Sequence, residues 1–352
     1  MSKKNICVVF GGVSSEHEVS KLSAKTVLTN IDYDKFNVFP VFITKDGRWK
    51  YFDGNLDDVV SKNPEDFSKA DAIISPDRED KCLIKFSKDG SFEKIHIDAA
   101  FPVLHGKFGE DGTIQGLFSL AGIPYAGSGV VGSGVCMDKC MAKILFEKAG
   151  INQASWVEVK KGDKLDTKLV EEKLGYPVFV KPSAAGSSVG VTKAANEEEL
   201  KAAVKLAFEH DYKVLIEEAI NAREVEISLM GNLMPECSPY AGEIMPAKEF
   251  YDFEAKYEDE SSKLMLPAPI DEDTLNQIKD LAKRAYRICE CRGFARVDFF
   301  VEKTTGEIFL NEINTLPGFT EISMYPKLWS LADMSIKELI TKIIDLAVER
   351  DD

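Results

Sequence analysis

The stretch EIFLNEINTLPG, Glu307 to Gly318, decides how this chain is read. Ile308, Phe309, Leu310 and Ile313 belong in a buried strand, and Pro317 with Gly318 ends the run. Asn311, Glu312 and Asn314 interrupt it with a carboxylate and two amides where a sheet interior is dry. The preceding stretch GFARVDFFV carries Arg296 and Asp298 two apart, hence on one face of its strand. KTTGE joins the segments. A three-residue loop, Thr304 to Gly306 with Gly306 left-handed, would set Asp298 opposite Glu312 and Arg296 opposite Asn314.

Opposed acids repel, and burying them uncompensated costs several kcal/mol. A cation between them removes the conflict. Asp, Glu and Asn oxygens are hard ligands suited to Mg²⁺ or Mn²⁺ shared with substrate phosphates, and Arg296 beside them suits an anion. The other reading is a solvated sheet face with ordinary charge pairs, which the apolar residues on both faces disfavour.

A chain of 352 residues exceeds one comfortable core and points to two or three domains, with 44% apolar residues to fill them. The net charge of −15 argues against nucleic-acid binding, so an anionic ligand needs a locally basic site. The longest apolar runs are strand-sized, and MSKKNICVVF offers only five apolar residues before Gly11, short of a signal-peptide core. A cytosolic protein away from membranes is expected. Seven cysteines without C-x-x-C spacing and four histidines support neither zinc nor a disulfide framework, leaving reduced thiols.

The elements fall into three α/β units. In the first, KNICVVF is a strand, GGVSS a turn, Glu16 to Asn30 a helical pattern, and DAAFPVLHG a strand ending in the loop HGKFGEDG. This alternation suits a doubly wound parallel sheet whose strand-end loops are ligand positions. The second unit opens at GSGVVGSG and continues with a helix from about Val135 to Ala149, closed by Gly150. The strands WVEV and PVFVKPS, the loop AAGSSVG and VTKA follow. The helix NEEELKAAVKLAFEH, begun by Asn196 with Glu199 three residues on, leads to the strand KVLIEEAI. The third unit holds REVEISLMG, PYAGEIMP, a polar loop from Tyr251 to Ser262, the helix DEDTLNQIKDLAKRAYRICECRG, the opening pair of strands and a helix from about Ile336 to Glu349. There is no repeat or low-complexity linker, so the units are expected to pack together.

No G-x-x-x-x-G-K-[ST] occurs, which excludes a P-loop. GSGVVG, 127 to 132, fits G-x-G-x-x-G but lacks a proper preceding strand and a following acid, and reads as a tight turn before a helix. SAAGSSVG, 183 to 190, directly after PVFVK, is the better phosphate loop. Its small residues let backbone N–H groups converge on an anion, with Lys181 at the strand end and Lys139 at a helix start supplying charge. A ligand-free surface loop is the alternative. Coupled to the acid cluster, the loop suggests a nucleoside triphosphate.

Taken together, FGGVSSEHEVS, LHGKFGEDGTIQG, GIPYAGSG with MDK, VKPSAAGSSVG, EFYDFEAKY, ARVDFF and NEINTLPGFT resemble the ATP-grasp enzymes, and specifically the D-alanine–D-alanine ligase family, over nearly the whole chain. The resemblance implies a three-domain α/β fold with an N-terminal doubly wound parallel-sheet domain and two α+β domains enclosing ATP. It implies an N-terminal substrate domain at 1–123, a central ATP-grasp subdomain with the phosphate loop at 124–216, and a C-terminal subdomain with the metal site at 217–352. The implied reaction serves peptidoglycan precursor synthesis. One D-alanine carboxylate takes the γ-phosphoryl group of ATP, the amine of a second D-alanine attacks the acyl phosphate, and a tetrahedral intermediate expels phosphate.

The same resemblance assigns residues. Asp298, Glu312 and Asn314 match ligands of two Mg²⁺ ions, with Mn²⁺ as a substitute. Lys139, Lys181 and Lys256 hold phosphates, with Ser188 in the phosphate loop. Glu217, Ala219 and Ile220 line the adenine pocket, Glu224 takes the ribose, and Asn311, on the opposite face of its strand, is assigned to the nucleotide's surroundings. Arg296 and the Gly318 N–H face the oxyanion, where losing a donor costs about 2.7–4 kcal/mol of barrier. Glu18 matches the carboxylate that receives the first substrate's ammonium, although Ser15-x-x-Glu18 also satisfies a capping box. Glu18, Ser187 and Tyr257 would form a hydrogen-bonded set closing two loops over the reactants and excluding water. His105 lies near the first D-alanine; Ser323 and the Met324 backbone hold the second substrate's carboxylate. Tyr257 favours an amine nucleophile, which leaves D-serine open as second substrate, and a homodimer is the family's habit. Phe253 and Met324 depart conservatively from the family. Another ATP-grasp ligase is disfavoured by EFYDFEAKY and Glu18, and a nucleotide sensor without turnover by the presence of Arg296 and all three metal ligands.

Overall fold

The computed structural model describes residues 2–186, 189–245 and 263–350, and the described strands form three sheets. The first contains β1 (Lys4–Gly11), β2 (Phe36–Ile43), β3 (Trp49–Tyr51), β4 (Ala70–Ile74), β5 (Cys82–Ser87), β6 (Phe92–His96) and β7 (Ala99–Val103), in the order β6-β5-β4-β3-β2-β1-β7. β1 pairs in parallel with β2 and β7, and its residues Ile6 to Phe10 are fully buried. This is the parallel part that the alternation of elements anticipates. β3 to β6 extend it as an antiparallel meander, closed between β5 and β6 at Lys88-Asp89-Gly90, where Gly90 has φ +85°. Such short strands with Asp-Gly turns give no helical period to read.

α1 (His17–Asn30) packs on β1, and α2 (Thr113–Ala121) follows β7. α1 begins with Glu16 at its cap without a side-chain hydrogen bond, so the Ser15–Glu18 capping box does not form. Next come α3 (Val130–Met137) and α4 (Lys139–Lys148), where the sequence suggests one helix from Val135 to Ala149. Asp138 breaks it: its backbone is extended (φ −85°, ψ 96°) and its carboxylate accepts Met141 N at 3.2 Å, starting a new helix.

The second sheet contains β8 (Trp156–Lys160), β9 (Val178–Pro182), β10 (Thr192–Ala194) and β11 (Lys213–Glu218), antiparallel in the order β10-β9-β11-β8. α5 (Thr167–Leu174) and α6 (Glu197–Ala207) cover it. Asn196 caps α6 as expected, accepting Glu199 N at 3.0 Å while Glu199 reaches back to Ala195 N at 2.8 Å. The third sheet contains β12 (Ala222–Met230), β13 (Glu236–Cys237), β14 (Gly242–Met245), β15 (Lys263–Met265), β16 (Phe294–Glu302) and β17 (Ile308–Asn314), in the order β15-β14-β12-β16-β17 with β13 beside β12. α7 (Glu272–Ile288) packs on its apolar face through Ile278, Ala282, Ala285 and Tyr286. After α8 (Met324–Ser330), the final helix α9 (Ile336–Val348) returns to the first sheet. Its Leu339, Ile340, Ile343 and Ile344 share one core with Ile6, Val8 and Phe10 of β1.

The β16–β17 hairpin sets Asp298 opposite Glu312 and Arg296 opposite Asn314, as the sequence suggests, but by a different route. The loop has four residues: Glu302 N donates to Glu307 O at 2.9 Å, leaving Lys303 to Gly306 between them, with Gly306 at φ +73°. That longer loop shifts the lower half of the ladder by one residue, pairing Phe299 with Leu310. A β-bulge at Asn311 absorbs the extra residue and restores the facing of the polar pairs.

Candidate functional site

Between the second and third sheets lies a cavity of about 1000 Å³, closed at one end by turns of the first unit that carry Glu16, His105 and Glu110. Its deepest charge is Glu217 of β11, 3% exposed, which bonds to both Lys143 of α4 and Lys181 of β9. Burial alone would raise the Glu217 carboxyl, but the two ammonium groups outweigh it and hold it down at about 2. Burial lowers Lys143 in spite of this partner, whereas Lys181 is raised because Glu217, Glu312 and Glu224 together overcome its burial. Ala219 and Ile220 continue the same wall, and Glu224, near the start of β12, also lines the cavity.

The facing wall is the polar side of β12, β16 and β17. Arg296 donates to both oxygens of Asp298 at 2.7 Å, and its Nε lies 3.0 Å from Glu226 Oε2 on the neighbouring strand. Burial works against this guanidinium's charge, yet the Asp298 and Glu226 carboxylates more than compensate and push its pKa well up. Asn314 Nδ2 donates to Asp298 Oδ2 at 2.9 Å. Glu312 approaches Lys139 Nζ at 3.4 Å, and the same ammonium donates to Ala185 O at 2.9 Å at the start of the glycine-serine loop. Asn311, expected on the other face, is brought to the cavity's lining by the bulge. Among the described residues no three His, Cys, Asp or Glu side chains are gathered as a metal cage. The third donor here is an amide: Asp298, Glu312 and Asn314 offer two carboxylates and an amide on adjacent strands, a hard-oxygen set that fits a divalent cation of the Mg²⁺ class.

At the far end His105 joins the first unit to the chain beyond β17. The Leu316 carbonyl, 3.1 Å from Nδ1, can only accept, so Nδ1 carries the proton and Nε2 accepts the Ser23 hydroxyl at 3.1 Å. Ser23 Oγ in turn accepts Phe319 N at 3.1 Å. Glu110, 3.5 Å from His105 Nδ1, has its carboxyl raised by burial and by the Glu16 carboxylate. Glu16 is 7% exposed, and its Oε2 lies so near Gly106 and Gly186 that a Cβ there would approach it to 2.5 Å and 2.7 Å. A side chain at either position would have to push that carboxylate out of its place.

Two regions of the chain match family models, one described as the N-terminus of D-Ala D-Ala ligase over residues 5–128 and one as its C-terminus over residues 145–345. The chain belongs to the D-alanine–D-alanine ligase family. A D-alanine–D-alanine ligase from Acetivibrio thermocellus is 51% identical, covering 99% of this chain and 96% of that protein. Among solved structures, the VanG D-Ala:D-Ser ligase from Enterococcus faecalis superposes with a TM-score of 0.90 at 40% identity, covering 98% of this chain and all of that one. A D-alanine–D-alanine ligase from Bacillus anthracis complexed with ATP gives a TM-score of 0.74 at 30% identity, over 99% and 98% of the two chains.

Within this ligase-family frame the cavity gathers Lys139, Lys181, Glu217, Ala219, Ile220 and Glu224 with Arg296, Asp298, Asn311, Glu312, Asn314, Gly318 and His105. Ser323 stands just behind Gly318, where a Cβ would meet its Oγ at 2.8 Å; that Oγ accepts Thr320 N at 2.9 Å. The Met324 side chain is buried against Ile244 and Leu328, so only its backbone could face a ligand. Glu18 is not brought to the cavity. Its side chain is 58% exposed and pairs with Lys21 at 2.6 Å and Lys45 at 2.8 Å, while Glu16, on the other side of the helix start, occupies the cavity. Ser187, Ser188, Lys256 and Tyr257, and with them the Tyr251 to Ser262 loop, lie outside the described residues. The reading also missed Lys143, one helical turn after Lys139, and Glu226, two residues after Glu224; both spacings were available as signals.

Proposed function

We propose that the chain joins two D-alanine molecules into D-alanyl-D-alanine, driven by ATP through an acyl phosphate, for peptidoglycan precursor synthesis. The observation that carries this is the cavity itself, in which an acid-and-amide strand pair with Arg296 faces the cationic wall of Lys139 and Lys181. Glu217, Ala219, Ile220 and Glu224 take the nucleoside, with Asn311 nearby, while Lys139 and Lys181 take phosphates. Asp298, Glu312 and Asn314 would hold Mg²⁺, which offsets the charge of the transferring phosphoryl oxygens when bound. Asp298 must then release part of its hold on Arg296, and Glu226 remains to keep that guanidinium aimed into the cavity. Arg296 and the Gly318 N–H stabilise the oxyanion of the tetrahedral intermediate. The first substrate's ammonium is received by Glu16, whose carboxylate is in the cavity, and not by Glu18. Ser187 and Tyr257 complete closure over the reactants, Ser188 and Lys256 add phosphate contacts, and Ser323 with the Met324 backbone holds the second carboxylate.

A homodimer working in the cytosol belongs to the same reading; no helix among the described residues is long and apolar enough to cross a membrane. The likeness to a D-Ala:D-Ser ligase favours one second reading, D-serine as the attacking amine. Phosphate release from ATP is expected to require D-alanine and Mg²⁺, and incubation with D-alanine plus D-serine, read by dipeptide mass, separates the two products. No stimulation by D-alanine across a panel of D- and L-amino acids would sink the assignment.

A further inference from the structure

The amides that open α4 are engaged by protein. Lys139 N donates to Ser183 O at 2.9 Å, Cys140 N to Ser183 Oγ at 3.2 Å, and Met141 N to Asp138 Oδ1 at 3.2 Å. The helix start is therefore docked onto the chain leaving β9, where the glycine-serine loop begins. Ser183 closes the joint by donating its hydroxyl to Asp138 Oδ1 at 2.7 Å. Lys213 of β11 completes it: its ammonium pairs with Asp138 Oδ2, and its carbonyl accepts Ser183 N at 2.9 Å. Asp211 adds a brace, accepting Ala184 N at 2.7 Å and Lys213 N at 3.3 Å.

Ser183 is fully buried and Lys213 is 5% exposed. Asp138 is only part-buried, its side chain 21% exposed, so this ion pair adds little to stability, and the best-attested use of such a pair is to fix one geometry. The geometry fixed here is that of the cavity's cations. Lys139 follows Asp138 directly, and its ammonium reaches both Ala185 O and Glu312. Lys181 stands two residues before Ser183 on the same strand exit. Asp138, Ser183 and Lys213 themselves lie outside the lining of the cavity.

We infer that Asp138, Ser183 and Lys213 are positioning residues that lock the start of α4 to the exit of β9, so that Lys139 and Lys181 meet the nucleotide's polyphosphate already assembled. The inference rests on the proposed nucleotide reading of the cavity and deepens it, since the joint serves the phosphates and not the base.

Calorimetric titration of the full chain with ATP, ADP and adenosine, each with MgCl₂, tests this. Lys213→Met is expected to weaken ATP and ADP roughly tenfold, the scale of one lost charge-assisted contact, and to leave adenosine unchanged. Lys213→Arg should recover most of the loss. Ser183→Ala, a smaller change that carries the test if Lys213→Met does not fold, should show the same selectivity. ATP binding unaffected in Ser183→Ala, or an equal loss for adenosine and ATP, overturns the inference. A wild-type chain that binds ATP no better than adenosine overturns the polyphosphate reading itself, so the two failures are distinguishable.

Discussion

Two stretches of the cavity wall carry acids, and they are balanced differently. On the strands, four carboxylates have a fixed cation: Asp298 and Glu226 share Arg296, Glu312 faces Lys139, and Glu217 lies between Lys143 and Lys181. In the turns after β1 and β7, acid stands beside acid, with Glu110 raised by its burial and by Glu16. A wall balanced by its own lysines and arginine can receive an anion together with metal counter-ions, because each partner is exchanged for another of like sign. A pair of acids is suited to a ligand that brings a positive charge, as an amino acid's ammonium does.

The strongest way to break this comparison is on the strands. Glu312→Gln keeps the volume and removes the charge that the hairpin presents to a metal, so turnover should fall by about a hundredfold or more with the fold retained. Steady-state phosphate release and a thermal melt check the two halves of that statement. Near-wild-type turnover would mean that the metal does not belong to this strand.

The next effect is in the turn. Glu16→Gln should lower kcat/KM for D-alanine by roughly ten- to hundredfold, the value of a charged contact with the ammonium, while Glu18→Gln stays close to wild type. The opposite pattern would return the role to Glu18, whose salt bridges with Lys21 and Lys45 would then have to open during the cycle.

The difference between strand and turn also explains what could be read from the sequence. Alternation along β16 and β17 is local and has a period of two, so the facing of Asp298 with Glu312 followed from residue spacing. It survived even though the loop is one residue longer than expected and Asn311 bulges, since the two departures cancel. No such period governs the β1–α1 turn, where Glu16 and Glu18 are the same residue type and the direction of the helix start decides which enters the cavity. Glu226 depends on the pairing of β12 with β16, which sets it opposite Asp298 some seventy residues on, a contact that local rules never see. The break at Asp138 was hidden because one residue serves both helices: its backbone N–H closes α3 on Gly134 O and its carboxylate caps α4.

The smallest effect tests whether the acids in the turns are in conflict. Glu110 has a carboxyl raised above its ordinary value of 4.5, so its protonated form is the one the fold favours. The stability it contributes is present below that value and is lost as the pH rises through the raised one. Glu110→Gln cannot ionise, so its melting temperature relative to wild type should climb as the pH rises above about 4.5, by a few degrees at most. Saturating D-alanine should narrow the gap at the higher pH, because an ammonium beside Glu16 relieves the wild-type acids and does nothing comparable for the amide. A difference in melting temperature that is flat with pH would show that Glu110 is at ease as a carboxylate, and the turns would then be balanced as well as the strands are.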